Sequence, residues 1–122
     1  MGHDWEREAE RALVAARYRI IDRNFRTKRG EIDLIAEENG TLCFVEVKGR
    51  LTRAYGAPAE SVTLEKQRRI RSAAESYLAG AGGAARPCRF DVVCVDAREE
   101  DAARRVTIFR NAFEVPPPRR RG

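Results

Sequence analysis

Gly30–Lys48 reads GEIDLIAEENGTLCFVEVK, two alternating runs joined by Glu38-Asn39-Gly40-Thr41. Asn-Gly between alternating apolar runs is the strongest short-range signal for a β-hairpin. With Asn39 and Gly40 at the tip, Glu38 pairs with Thr41, Ile35 faces Phe44, Asp33 faces Glu46 and Glu31 faces Lys48. A four-residue loop keeps this register, whereas a three-residue loop shifts it. The register sets two carboxylates side by side, where directly opposed Cβ atoms lie about 4.5–5.5 Å apart and like charges destabilise. Two unit charges roughly 5 Å apart repel by about 3 kcal/mol at an effective dielectric near 20. Moving either residue by one position would send it to the other face. The simplest compensation is a divalent cation between the carboxylates, with the oxygen ligands that magnesium prefers.

The second run of the hairpin puts Leu42, Phe44, Glu46 and Lys48 on one face and Cys43, Val45 and Val47 on the other. The first face is apolar near the tip and charged at the far end. Such a strand enters a core at one end and opens into a cleft at the other. The E-x-K spacing of Glu46-Val47-Lys48 brings a carboxylate and an ammonium to one face. Glu46 can then hold a metal while Lys48 reaches a water or a phosphate oxygen. E-x-K alone is a weak signal; Asp33 opposite Glu46 makes it much more specific.

The whole chain has 122 residues, which suits one domain with one core. Its hydrophobic fraction of 43%, charged fraction of 35% and net charge of +5 suit a soluble protein with a mild leaning towards a polyanionic partner. Cys43, Cys88 and Cys94 are an odd set with no C-x-x-C spacing. This argues against a disulfide framework or zinc site and fits a reducing cytoplasm. The opening MGHDWEREAERAL is too charged for a signal peptide, and no apolar run approaches a membrane span. A cytoplasmic protein without membrane contact is expected.

Outside the hairpin, residues 4–16 read as a helix with Asp4 as N-cap and Trp5, Ala9, Ala12 and Ala16 at helical spacing. Glu6 lies at the border of the buried stripe, and on helix geometry alone it is first an acid that complements the helix dipole. Residues 18–25 read as a strand, followed by the basic turn Thr27-Lys28-Arg29-Gly30, which either contacts phosphates or is simply solvated. Residues 49–62 read as an irregular loop carrying Arg50 and Arg53. The spacing predicts a second helix over 63–78, with Ile70, Ala73, Ala74, Tyr77 and Leu78 as its apolar stripe. Lys66 and Gln67 project from the N-terminal end of that stripe, as site residues or as a snorkelling lysine and a stray glutamine. Arg68, Arg69 and Arg71 read as outward-facing. Strands follow at 89–96 and 106–110, and Asn111-Ala112-Phe113 reads as the start of a helical turn. The expected fold is α/β: one domain over about residues 1–115, a central mixed sheet flanked by helices, with 116–122 a disordered basic Pro/Arg tail.

GEIDLIA, FVEVK, the Lys-Gln pair of TLEKQRRI, CRFDVV and the late NAF resemble the bacterial YraN-like, UPF0102-type family of predicted endonucleases. That family is similar to the PD-(D/E)xK nuclease superfamily and its Holliday-junction-resolvase-like branch. The resemblance runs over nearly the whole chain, and GEIDLIA with FVEVK at this separation is specific. It implies a restriction-endonuclease-like fold, Asp33 and Glu46 as ligands of magnesium or manganese, and Lys48 as the catalytic lysine. It implies that Glu6 completes the metal shell or holds a water of it, and that Gln67 is a further catalytic polar position. Glu31, opposite Lys48, is expected to partner that lysine. Ile32 stands where the superfamily label has proline.

The function expected is hydrolysis of DNA phosphodiester bonds, branched or junction DNA included, with Lys28, Arg29, Arg50, Arg53 and Lys66 on flanking phosphates. Junction cleavage needs two symmetric sites and hence a homodimer. The alternative is a non-catalytic nucleic-acid-binding module or assembly partner that keeps the fold; its binding would weaken steeply with salt and need no divalent ion.

Overall fold

A computed structural model describes residues 4–50, 62–80 and 86–114. The elements run α1 (Trp5–Ala15), β1 (Arg19–Arg26), β2 (Glu31–Glu38), β3 (Thr41–Arg50), α2 (Leu64–Gly80), β4 (Cys88–Asp96), α3 (Ala102–Arg105) and β5 (Val106–Phe113). The sheet order is β1-β2-β3-β4-β5. β3 and β4 are parallel, and every other neighbouring pair is antiparallel. The long passage from β3 to β4 carries α2, as a parallel connection requires. This is the single mixed α/β sheet with flanking helices that the sequence predicts.

The hairpin turns where Asn-Gly demands it. Asn39 and Gly40 both have positive φ, 50° and 81°, as a two-residue type I′ turn requires. The β2–β3 ladder then runs Glu38↔Thr41, Glu37↔Leu42, Ala36↔Cys43, Ile35↔Phe44 and Leu34↔Val45, in the predicted register.

Two cores lie on the two faces of the sheet. Ile35, Leu42, Phe44, Ile70, Ala73, Ala74, Val92 and Phe113 pack together under α2. Ala9, Leu13, Leu34, Ala36, Cys43, Val45, Val93 and Val95 pack under α1. Cys43 and Cys94 are both buried in strands. Two glycines set how closely the helices approach. A Cβ on Gly30 would lie 2.0 Å from the Arg69 carbonyl oxygen of α2, and one on Gly49 would lie 2.1 Å from the Trp5 ring of α1.

The C-terminal strand departs from expectation. Asn111, Ala112 and Phe113 continue β5 instead of starting a helix. Asn111 has φ 51°, and its N–H donates to the Asp91 carboxylate at 2.9 Å, next to a register shift at Phe90/Val92. The free edge of β4 and this side-chain acceptor override local propensity. α3 is too short to show a helical period and rests on an Asp101 cap to the Ala103 N–H. Among the described residues no helix is long and apolar enough to cross a membrane. The expected loop at 49–62 falls largely outside the described residues, and so do Arg53 and the 116–122 tail; of Arg50 only the backbone is described.

Candidate active site

The hairpin ladder stops one step short of the carboxylate pair. Continued in register beyond Leu34↔Val45, it would send the Val47 N–H to the Ile32 carbonyl. Instead Val47 N–H donates to Asp33 Oδ2 at 2.8 Å. The Asp33 side chain therefore takes over as acceptor where the strands begin to part. The chain also rotates here: Ile32 belongs to the core under α2 and Leu34 to the core under α1, although residues two apart normally share a face. β1 turns with it. Arg23 reaches Glu10 of α1, Phe25 stacks edge-on against Tyr77 of α2, and Asn24 between them has φ 50°. Asp33 thus lies at a shared twist, between the two faces and not squarely on one.

Glu46 lies on the α2 face and is only 3% exposed. Burial, then a hydrogen bond with Asp33 and the charge of Asp33, push its carboxyl up to about 7, against the opposing effect of Lys66. The two carboxyl groups are thus neighbours, as the register predicts, although no ladder pair joins their residues. Glu6 sits at the buried margin of α1. Burial, Asp33, Asp4 and Glu31 raise its carboxyl above the usual range, with Arg26 opposing. Asp33 is the acid whose charge acts on both Glu6 and Glu46.

These acids are short of donors. Glu6 Oε1 is buried without a hydrogen-bond partner among the described residues, and Glu46 Oε2 meets no donor there other than the Lys66 ammonium. Buried carboxylate oxygens without partners are costly and rare, and hard oxygen donors suit Mg²⁺ or Mn²⁺. The residues therefore fit such an ion in kind. Among the described residues, however, no three ligating side chains converge on one point as a ready-made site.

Lys66 supplies positive charge instead. Its ammonium forms an ion pair with Glu46 Oε2, with side chains 43% and 4% exposed respectively. Among the described residues this ammonium is the group that meets that oxygen. Burial works against the Lys66 ammonium, but Glu46 and Asp33 outweigh it and keep its pKa above the ordinary lysine value. Lys48 also adjoins Lys66. The α2 start that delivers Lys66 is capped by Thr63, whose Oγ1 accepts from Lys66 N–H at 3.1 Å.

The other expected site residues divide. Gln67 turns away from the acids: its Nε2 donates to the Val62 carbonyl at 2.8 Å and pins the entry into α2. Glu31 pairs with Arg26 at 3.2 Å and not with Lys48; the strands have parted before their positions meet. Lys28 and Arg29 are exposed in a tight turn, in which Thr27 Oγ1 accepts from the N–H groups of Arg29 and Gly30. Arg71, read as outward-facing, is half-buried against Glu75 at 3.1 Å.

A cleft of about 340 Å³ opens beside this end of the sheet, lined by Glu31, Thr63, Glu65, Lys66, Arg69 and Ile70. Lys28, Arg29, Arg68 and Arg69 gather where the β1–β2 turn touches α2 at Gly30 and Arg69, and all four lack an acidic partner among the described residues. Arg19, Arg23, Arg89, Arg98 and Arg110 are instead committed to carboxylates.

Asp91, within CRFDVV, has a role that the sequence alone does not reveal. It is fully buried and accepts from Tyr18 Oη at 2.8 Å, Arg89 Nε at 2.9 Å and Asn111 N–H at 2.9 Å. Arg89 and Arg110 converge on Glu38. The available signal is an aspartate inside an apolar strand two residues after an arginine. Burial and the bond to Asp91 push the Tyr18 hydroxyl well above its usual value. This network binds the hairpin tip to β4 and β5.

Comparison with known proteins agrees along most of the chain. The profile described as "Uncharacterised protein family UPF0102" matches residues 5–95. The chain is 50% identical over 115 residues to the UPF0102 protein STH1475 of Symbiobacterium thermophilum, covering 94% of this chain and 97% of that protein. It is 48% identical over 114 residues to a UPF0102 protein of Desulfosudis oleivorans, covering 93% and 89%. It is 43% identical over 113 residues to one from an Anaeromyxobacter species, covering 93% and 84%. With matches of this length and identity behind it, the chain belongs to the UPF0102 family.

Proposed function

We propose that the protein is a metal-dependent nuclease that hydrolyses phosphodiester bonds in DNA. The observation that carries this reading is the buried Glu46 beside Asp33 at the open end of a ladder, its Oε2 met among the described residues only by the Lys66 ammonium, next to a cleft that Lys66 and Arg69 line together with Glu31 and Glu65. Asp33 and Glu46, with Glu6 directly or through water, would hold Mg²⁺ or Mn²⁺. When bound, such an ion supplies Lewis acidity and countercharge to a phosphoryl oxygen.

The remaining roles belong to the chain itself. The Val47 N–H fixes one oxygen of Asp33 and so orients the other. Lys48, two residues beyond Glu46 on the same strand, would hold the attacking water or a non-bridging oxygen by a charge-assisted hydrogen bond. Lys28, Arg29, Arg50, Arg53 and Lys66 would hold flanking phosphates. Gln67 supports the site through the Val62 carbonyl. Junction DNA as substrate would call for a homodimer.

The test is a cleavage panel on linear, nicked and branched DNA with Mg²⁺ or Mn²⁺. Wild type is expected to cut only with the ion, and Asp33→Ala and Glu46→Ala to lose at least a hundredfold in rate. Equal cleavage by wild type and both variants would overturn the assignment.

One observation favours a second reading. The Lys66 ammonium already neutralises Glu46, and no three-ligand cluster stands ready among the described residues. A non-catalytic nucleic-acid-binding module would need nothing more. It predicts DNA binding that falls steeply with salt and a melting temperature unmoved by millimolar Mn²⁺, because an ion that binds the native state raises it.

A further inference from the structure

We infer that Lys66 is an internal cation that a divalent ion and a nucleic-acid phosphate displace together, coupling metal loading to substrate binding. The inference rests on the nuclease reading above and deepens it. Three observations meet in this side chain. Lys66 Nζ pairs with Glu46 Oε2, the oxygen otherwise without a donor. The same side chain lines the cleft, so its flexible stem spans the route from the carboxylates to any polyanion lying there. It is 43% exposed whereas Glu46 is 4% exposed, so Lys66 can leave the contact and Glu46 cannot.

The consequences are electrostatic. An ion that binds Glu46 and Asp33 competes with the ammonium for the same oxygen, and in the free protein it must first expel it. An expelled ammonium needs an anion, and a phosphodiester in the cleft supplies one. Each ligand therefore removes part of the other's obstacle, and by linkage the enhancement must be equal in both directions. Lys66 acts on the metal through Glu46 and is a positioning residue in this sense. An arginine would hold Glu46 with a more rigid, bidentate group and release it less readily, so Lys66→Arg would keep the competition while changing its strength.

Mn²⁺ binding, followed by electron paramagnetic resonance of the free ion, tests the idea without catalysis. Wild type, Lys66→Met and Arg69→Gln are titrated with and without a short oligonucleotide whose linkages are nuclease-resistant phosphorothioates. Wild type is expected to bind Mn²⁺ about tenfold tighter with the oligonucleotide, within the usual range of coupling energies. Lys66→Met should bind the ion about tenfold tighter alone, and the oligonucleotide should add less than threefold. Arg69→Gln removes a charge from the same cleft without touching Glu46, and should change Mn²⁺ affinity less than threefold in the absence of DNA. Circular dichroism melts confirm that each variant folds.

Equal Mn²⁺ affinity in wild type and Lys66→Met, or undiminished coupling in the variant, overturns the inference and leaves the nuclease reading standing. If Arg69→Gln matches Lys66→Met, bulk charge explains the effect and the specific exchange is wrong. If none of the proteins binds Mn²⁺, with or without the oligonucleotide, the metal-dependent reading falls and this inference falls with it.

Discussion

Glu46→Gln should make the metal-free protein more stable at pH 8 and remove part of its pH dependence. Glu46 is buried, and its carboxyl is pushed from 4.5 up to about 7, first by burial and then by Asp33. Below pH 4.5 the group is protonated whether the chain is folded or not, and the perturbation has no effect on stability. Between 4.5 and 7 the unfolded chain ionises while the folded chain holds its proton, so stability falls as pH rises. Above 7 both forms are ionised and the full penalty remains, roughly 3 kcal/mol at about 1.4 kcal/mol per tenfold change in proton affinity. Glutamine is nearly isosteric and never ionises. Lys66 is not stranded by the change, because its side chain is 43% exposed and can turn to water. Urea unfolding in EDTA at half-unit steps from pH 4.5 to 8.5 would measure both proteins. Their stabilities should coincide near pH 4.5 and separate by roughly 2–3 kcal/mol at pH 8, with the variant the more stable. Parallel curves, or a variant less stable at pH 8, would show that the Lys66 pairing outweighs burial and would refute the reasoning.

Two further outcomes follow from packing. Gly49→Ala would put a methyl 2.1 Å from two carbons of the Trp5 ring; α1 must shift, at a cost of about 1–3 kcal/mol in urea unfolding, and because Glu6 adjoins Trp5 the stabilisation by Mn²⁺ should shrink as well. Asp91→Ala removes the acceptor shared by Tyr18, Arg89 and Asn111 and should cost about 3–5 kcal/mol, because a buried charge pair is broken from one side; Tyr18→Phe, which deletes the hydrogen bond to Asp91 and the one that Tyr18 Oη accepts from Arg89, should cost about 1–3 kcal/mol by the same measurement.

What could be read in the sequence is what local chemistry fixes. Asn39-Gly40 can adopt two successive positive-φ conformations, and alternation then leaves one register that buries Ile35 and Phe44 together. The stripes of α1 and α2 follow from spacing alone. Illegible were features set by elements distant in the chain. The hairpin alone implies that Asp33 pairs with Glu46 in a continuing ladder. In the fold, Asn24 of β1 turns at the same point, and the Asp33 carboxylate takes the Val47 N–H. That parting also separates Glu31 from Lys48. Gln67 was visible as a polar residue on a buried stripe, but its partner is a backbone carbonyl that no pattern reveals. Lys66 was legible as a cation directed at the sheet, and its contact with Glu46 followed only once β3 and α2 were placed. Asn111-Ala112-Phe113 lacks any strand signature, because β4 and Asp91 make it a strand from outside.

The two polar regions of the sheet are built from the same residue types and end in opposite conditions. Towards the hairpin tip, on the α1 face, Asp91 is fully buried with three donors and Glu38 is held by two arginines, which keep its carboxyl down at about 2. A buried carboxylate in this fold can therefore be fully satisfied by the chain itself. Where the ladder opens, Glu46 and one oxygen of Glu6 are also withdrawn from water, yet among the described residues Glu6 Oε1 has no donor and Glu46 Oε2 has only the Lys66 ammonium, and their carboxyls are held up and not down. Near the tip Arg86, Arg89 and Arg110 are consumed by Glu37 and Glu38, whereas Lys28, Arg29, Arg68 and Arg69 are exposed with no acidic partner among the described residues. Burial without satisfaction at one end, beside complete satisfaction at the other, is the pattern of a site whose missing partners come from outside the chain. The locked end has a part in this: it fixes the register of β2, β3 and β4, so that the open end can hold its acids in place despite their repulsion.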